Sequence, residues 1–74
     1  MSTNPHLSAL PGEVRAALAR VDMTQTELAQ RTGRSAAYWS ARLRGGRPMS
    51  TSDLESISRI TGVPVIVLIE GAAS

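Results

Sequence analysis

The sequence predicts an all-α fold, a compact bundle of four to five short helices around one small core. Three observations predict it. Apolar residues recur three and four positions apart in successive segments, the period of a helix with one buried face. Ser or Thr stands where three of these segments begin, and in two of them Glu or Asp follows three residues on, as in a helix-capping box. Glycines stand where the segments stop, which suits the left-handed residue that closes a helix.

The elements follow in order. Met1–Leu10 is polar, contains Asn4-Pro5, and reads as a loose arm (1–10) or an extra first turn. Pro11-Gly12 marks a break or a helix start. Val14, Ala17, Leu18 and Val21 then give one face of a helix over about 11–22, ended by Asp22. Thr24 with Glu27 fits a capping box, and Met23 with Leu28 a hydrophobic staple, at the head of a helix over about 24–32. Leu28, Ala29 and Thr32 form its buried side, and Gly33 closes it. So short a helix is not stable alone and must pack.

Ser35 caps a third helix over about 35–44. Ala36, Trp39 and Leu43 face the core, which leaves Arg34, Ala37, Tyr38, Ala41, Arg42 and Arg44 pointing away. Gly45-Gly46 stops it and Arg47-Pro48 turns the chain. A fourth helix over about 51–61 starts with Ser50 and Asp53, or Ser52 and Glu55, as its cap. It turns Leu54, Ile57 and Ile60 inward and ends at Gly62, two residues before Pro64. Val65-Ile66-Val67-Leu68-Ile69 is either a short fifth helix, started by Pro64, or a strand, since most of these residues are β-branched. The domain thus runs over 11–70, with 71–74 as a tail.

Composition narrows the functional classes. A domain of 74 residues buries only about 60% of its unfolded surface, so its core is marginal and a second copy could add burial. There is no Cys, which excludes disulfides and thiolate metal sites and suits a reducing cytosol. The first residues carry no leader pattern. The longest apolar run, Val63–Ile69, contains Pro64 and falls far short of the roughly 20 residues of a membrane helix. His6, the one histidine, lies in the arm as a surface residue, so neither a hydrolase triad nor a histidine metal site can be assembled. No glycine loop fits a phosphate-binding motif. Catalytic residues, metal and cofactor are not expected, and so short a chain offers no second domain for a small-molecule inducer.

Charge is polarised. All eight basic residues are Arg, and Arg31, Arg34, Arg42, Arg44 and Arg47 lie between Leu28 and Ser52, a window without Asp or Glu. Such a window is either a solvated face or the footprint of a polyanion partner. Arg forks onto phosphate and guanine better than Lys does.

The informative spacing runs from Leu28-Ala29 through Gly33 to Trp39. Ala29 is small where two helices cross closely, Gly33 supplies the left-handed turn, and Trp39 anchors the second helix. This is the pattern of a helix-turn-helix, whose first helix crosses the DNA backbone and whose second enters the major groove. From Val21 to about Ile69, about two thirds of the chain, the sequence resembles the lambda-repressor-like family that includes the Cro-type regulators. The resemblance is carried by Met23–Ser35, Tyr38–Gly45, Asp53-Leu54 and Gly62-Val63-Pro64.

The resemblance implies a phosphate contact for Gln25 and places the family's base-reading positions on Ala36, Ala37, Ser40 and Ala41. Three of these four are Ala, which touches a thymine methyl but hydrogen-bonds no base. Direct readout is therefore thin, and phosphate contacts and DNA shape take a larger share. Arg34, Ser35, Tyr38, Ser40 and Arg42 remain as candidates, with Arg44 and Arg47 beside them. Tyr38 is either a phosphate ligand or plain surface. Many relatives carry an apolar residue at Arg42 and an acid at Leu43; here that order is shifted, yet Leu43 keeps its place one turn after Trp39.

Where helical relatives carry polar residues, this chain has Ile66 and Val67. An apolar segment of this kind needs cover, so Val65, Ile66, Val67, Leu68 and Ile69 are expected to form a homodimer contact or to pack inward. The expected partner is double-stranded DNA. The family resemblance implies a transcription regulator of phage or prokaryotic type, acting on DNA in the cytoplasm, that occupies an operator and blocks polymerase. An antitoxin-type autorepressor, a protein-interaction module using residues 65–69, and an architectural DNA binder stay open.

Overall fold

The computed structural model describes the backbone of residues 5–73 and the side chains of 9–72. The described chain is helical, with no strand: α1 (Pro5–Arg20), α2 (Gln25–Thr32), α3 (Ala36–Leu43), α4 (Thr51–Thr61) and α5 (Val65–Ala73). The expected place of His6 on the surface lies outside the described side chains.

The first helix begins at Pro5 rather than near residue 11 and runs straight through Pro11. Pro5 sits in its first turn, where a missing N–H costs nothing. Pro11 inside the helix costs about 3 kcal/mol in isolation. Burial of Leu10 in the core, followed by Val14, Ala17 and Leu18 on the same face, offsets that cost through tertiary contacts. Val21, expected on this face, is exposed instead, because α1 has already ended. Met23 N–H donates to the Leu18 carbonyl (3.0 Å) and Asp22 N–H to that of Ala19 (3.1 Å), a Schellman closure. Asp22 takes the left-handed backbone this requires, at φ 54°.

The caps of the next helices match their sequence signals. Thr24 Oγ1 accepts from the Glu27 N–H at 3.1 Å, while Glu27 Oε1 accepts from the Thr24 N–H at 3.1 Å. Leu28 is fully buried and Met23 packs against the same core, as a staple requires. Gly33 has φ 70°, and the following Arg34 N–H returns to the Ala29 carbonyl at 3.0 Å. Ser35 caps α3 by accepting from the Tyr38 N–H at 3.1 Å. Of the two caps weighed for α4, Ser50 with Asp53 is the one formed.

The core joins Leu28 and Ala29 of α2, Trp39 and Leu43 of α3, Leu54 and Ile57 of α4, and Leu68 and Ala72 of α5 around α1. Ile60 packs at its edge. Ala36, expected partly inward, is exposed, since the first turn of α3 projects beyond the core.

The segment 65–69 is helical. The Pro64 carbonyl accepts from the N–H of Val67 (2.9 Å) and Leu68 (3.1 Å), so Pro64 precedes the helix and Val65 opens it. A lone strand would leave its backbone groups unpaired; a helix satisfies its own and lays Leu68 and Ala72 against α1. Residues 71–73, expected in a tail, belong to this helix, and Ala72 is buried. Residue 74 lies outside the described residues.

Candidate nucleic-acid interface

The α2–α3 pair is built around Trp39. Its ring is 1% exposed, and its indole N–H donates to Thr32 Oγ1 at 2.8 Å. Thr32 Oγ1 in turn donates to the Leu28 carbonyl at 2.8 Å. One hydroxyl thus ties the last turn of α2 to the middle of α3. This is the inward, core role expected for Trp39, with its polar edge satisfied as a buried indole requires. From α1, Arg15 Nη1 donates to the Leu43 carbonyl, which satisfies one of the acceptors left open at the end of α3.

The candidate contact residues divide by what holds them. Gln25, at the first position of α2, is exposed, as are Arg34, Ser35 and Ala37 at the head of α3 and Arg44 and Arg47 beyond its end. Arg31 is exposed too. Ser40 and Ala41 are half-buried. Tyr38 and Arg42 are also half-buried, and both turn toward α4. Tyr38 Oη donates to Asp53 Oδ1 at 2.5 Å. Arg42 Nε donates to Asp53 Oδ2 at 3.0 Å, and Arg42 Nη1 donates to the Tyr38 carbonyl at 3.1 Å.

Asp53 is therefore a hub. Its Oδ2 also accepts from the Ser50 N–H at 3.0 Å, and its side chain is 3% exposed. Burial pushes its carboxyl up, but hydrogen bonds from Tyr38, Ser50 and Arg42 outweigh burial and leave its pKa below the ordinary value. The same bond to Asp53 is the main cause that raises the Tyr38 phenol above its ordinary value. The hydrogen bond from the Thr24 N–H holds Glu27 low, which keeps the α2 cap charged and in place.

Sequence reasoning placed Asp53 only as a cap. Two signals could have shown more: it is the first acid after the basic window, and Tyr38 and Arg42, four residues apart, share one helix face. Among the described residues Arg42–Asp53 is the one ion pair. The charges of Arg31, Arg34, Arg44 and Arg47 stay available to a partner.

Two short helices joined at a left-handed glycine, with the second one anchored inward and its head exposed, define a helix-turn-helix domain. The family model for the helix-turn-helix domain matches residues 9–68, from within α1 to within α5. The chain belongs to this family of DNA-binding domains. No curated protein and no solved structure matches at a significant level. No helix among the described residues is long and apolar enough to cross a membrane.

Proposed function

We propose that this chain is a sequence-specific regulator of transcription that binds double-stranded DNA in the manner of a Cro-type repressor. In this reading it serves a phage or a prokaryotic cell and lays α3 in the major groove. The observation that carries the proposal is the head of α3. Arg34, Ser35, Ala36 and Ala37 are exposed there, on a helix whose other side is locked by Trp39 and Thr32. A major groove about 12 Å wide admits such a helix. Gln25 with the head of α2, and Arg44 and Arg47 after α3, reach for the flanking phosphates.

A homodimer through α5 completes the reading. Ile66, Val67 and Ile69 are exposed, at 60%, 47% and 41%, while Leu68 of the same helix is buried. Two copies would set their recognition helices in successive major grooves, about one turn of DNA apart.

The test is selection from random duplex DNA, followed by titration of the selected site and a scrambled control at several salt concentrations. The expected result is a short two-fold symmetric site bound about a thousandfold more tightly than the control. An asymmetric site would retain the regulator and remove the dimer. Uniform binding that falls steeply with salt would make the chain an architectural protein. No binding would remove the proposal and direct attention to the apolar face of α5.

A further inference from the structure

Two arginines bracket Tyr38 at helical spacing, Arg34 four residues before it and Arg42 four residues after. Both guanidiniums lie on the Tyr38 ring, at 4.7 Å from its centroid for Arg34 and 3.5 Å for Arg42. They differ in what else holds them. Arg42 is committed to Asp53 and to the Tyr38 carbonyl, with its side chain 20% exposed. Arg34 is exposed, and no N–H of its guanidinium has a hydrogen-bond partner among the described residues. It stands one residue ahead of the Ser35 cap, at the end of α3 that meets base edges in a helix-turn-helix.

We infer that Arg34, held ready on the Tyr38 ring, reads a guanine in the major groove, and that Arg42 contacts no base but ties α3 to α4 through Asp53. The inference rests on α3 being the recognition helix, as proposed above. A guanidinium carries its N–H donors in its own plane. A guanidinium held over the ring by its charge makes no hydrogen bond there, so its fork stays free for guanine O6 and N7. A side chain resting on the ring has fewer rotamers to lose on binding than a free one. The rest of the turn does not compete for this role. Ala36 and Ala37 have no side-chain donor, and Ser35, whose Oγ accepts from the Tyr38 N–H as the helix cap, has a single O–H where guanine O6 and N7 take two donors. Arg42 serves the fold: with Asp53 and the Tyr38 hydroxyl it ties α3 to α4, and the base preference does not depend on it.

The experiment takes the selected site and changes its base pairs one at a time. Affinities are measured for the wild type, Arg34→Ala, Arg42→Ala, Tyr38→Phe and Tyr38→Leu. The wild type should prefer one G·C pair by about tenfold or more. Arg34→Ala should lose that preference while keeping those at other positions. Tyr38→Phe keeps the ring and should keep the preference. Tyr38→Leu should lose most of it at that pair alone, which a merely structural loss, weakening every sequence alike, would not produce. Arg42→Ala should melt at a lower temperature with its base preferences unchanged. If it does not fold, Arg42→Lys, which retains a cation for Asp53, should show the same unchanged profile.

Uniform weakening in Arg34→Ala, with the salt slope smaller by about one, would make Arg34 a phosphate ligand and overturn the inference while leaving the proposed function standing. A base preference lost in either Arg42 variant would overturn it too. A wild type that selects no sequence would remove the proposed function and this inference together.

Discussion

Asp53→Ala tests how much of this small domain depends on one carboxylate. The side chain accepts from Tyr38 Oη at 2.5 Å, Arg42 Nε at 3.0 Å and the Ser50 N–H at 3.0 Å. Hydrogen bonds to a charged acceptor contribute about 1.5–3 kcal/mol each at most. Loss of a helix cap costs about 0.5–2 kcal/mol. Breaking a fully buried ion pair costs about 3–5 kcal/mol, but the Arg42 side chain is 20% exposed, so water solvates what the mutation strands. These contributions overlap, and a net loss of about 3 kcal/mol follows. For a domain of this size that lowers Tm by about 12–24 °C.

The assay is thermal unfolding followed by circular dichroism at neutral pH. A Tm within about 3 °C of the wild type would refute the hub, since it would mean a loss well under 1 kcal/mol. Acid supplies a second check with a definite sign. Asp53 has its pKa lowered in the folded state. Its contribution is thus complete above the unfolded value of about 3.9 and is lost as pH falls through the lower folded value. The gap in stability between the wild type and Asp53→Asn should therefore narrow below about pH 4.

Three further outcomes are expected. Trp39→Phe keeps most of the apolar volume but removes the N–H donor to Thr32; it should cost about 1–3 kcal/mol in urea unfolding, and no loss would deny the hydroxyl link between α2 and α3. Gly33→Ala meets no neighbouring atom, yet the backbone there has φ 70°, so it should cost about 1–2 kcal/mol from strain alone; a neutral result would place the turn in another conformation. Ile66→Glu, at a 60% exposed position, should change the folding free energy of the monomer by no more than about 0.5 kcal/mol and convert the proposed dimer to a 7.8 kDa monomer by light scattering. A dimer that survives it would have to use a surface other than this face of α5.

Local chemistry written into the chain accounts for most of the scaffold. Thr24, Ser35 and Ser50 announce three helix starts because their hydroxyls bind N–H groups within the same turn, and Gly33 and Gly62 announce two ends because only glycine adopts the left-handed backbone freely. The inward places of Leu28, Trp39, Leu43, Leu54 and Ile57 follow from helical period, and these residues are buried. Such signals act over three or four residues, within reach of sequence reasoning.

What escaped it depends on residues far apart in the chain. Pro11 reads as a break or a helix start until Leu10 is seen in the core. The apolar run 65–69 suits strand or helix equally, until α1 presents a face for Leu68 and Ala72 to cover and, among the described residues, no second strand stands beside it. Tyr38 and Arg42 read as free on an outward face, because helical period places them there. Only the packing of both α3 and α4 on α1 brings Asp53, eleven residues after Arg42, within hydrogen-bonding distance. A buried carboxylate must be paired with donors or it costs too much to ionise. That requirement, met across two helices, separates the arginine that holds the fold from the arginine proposed to meet DNA.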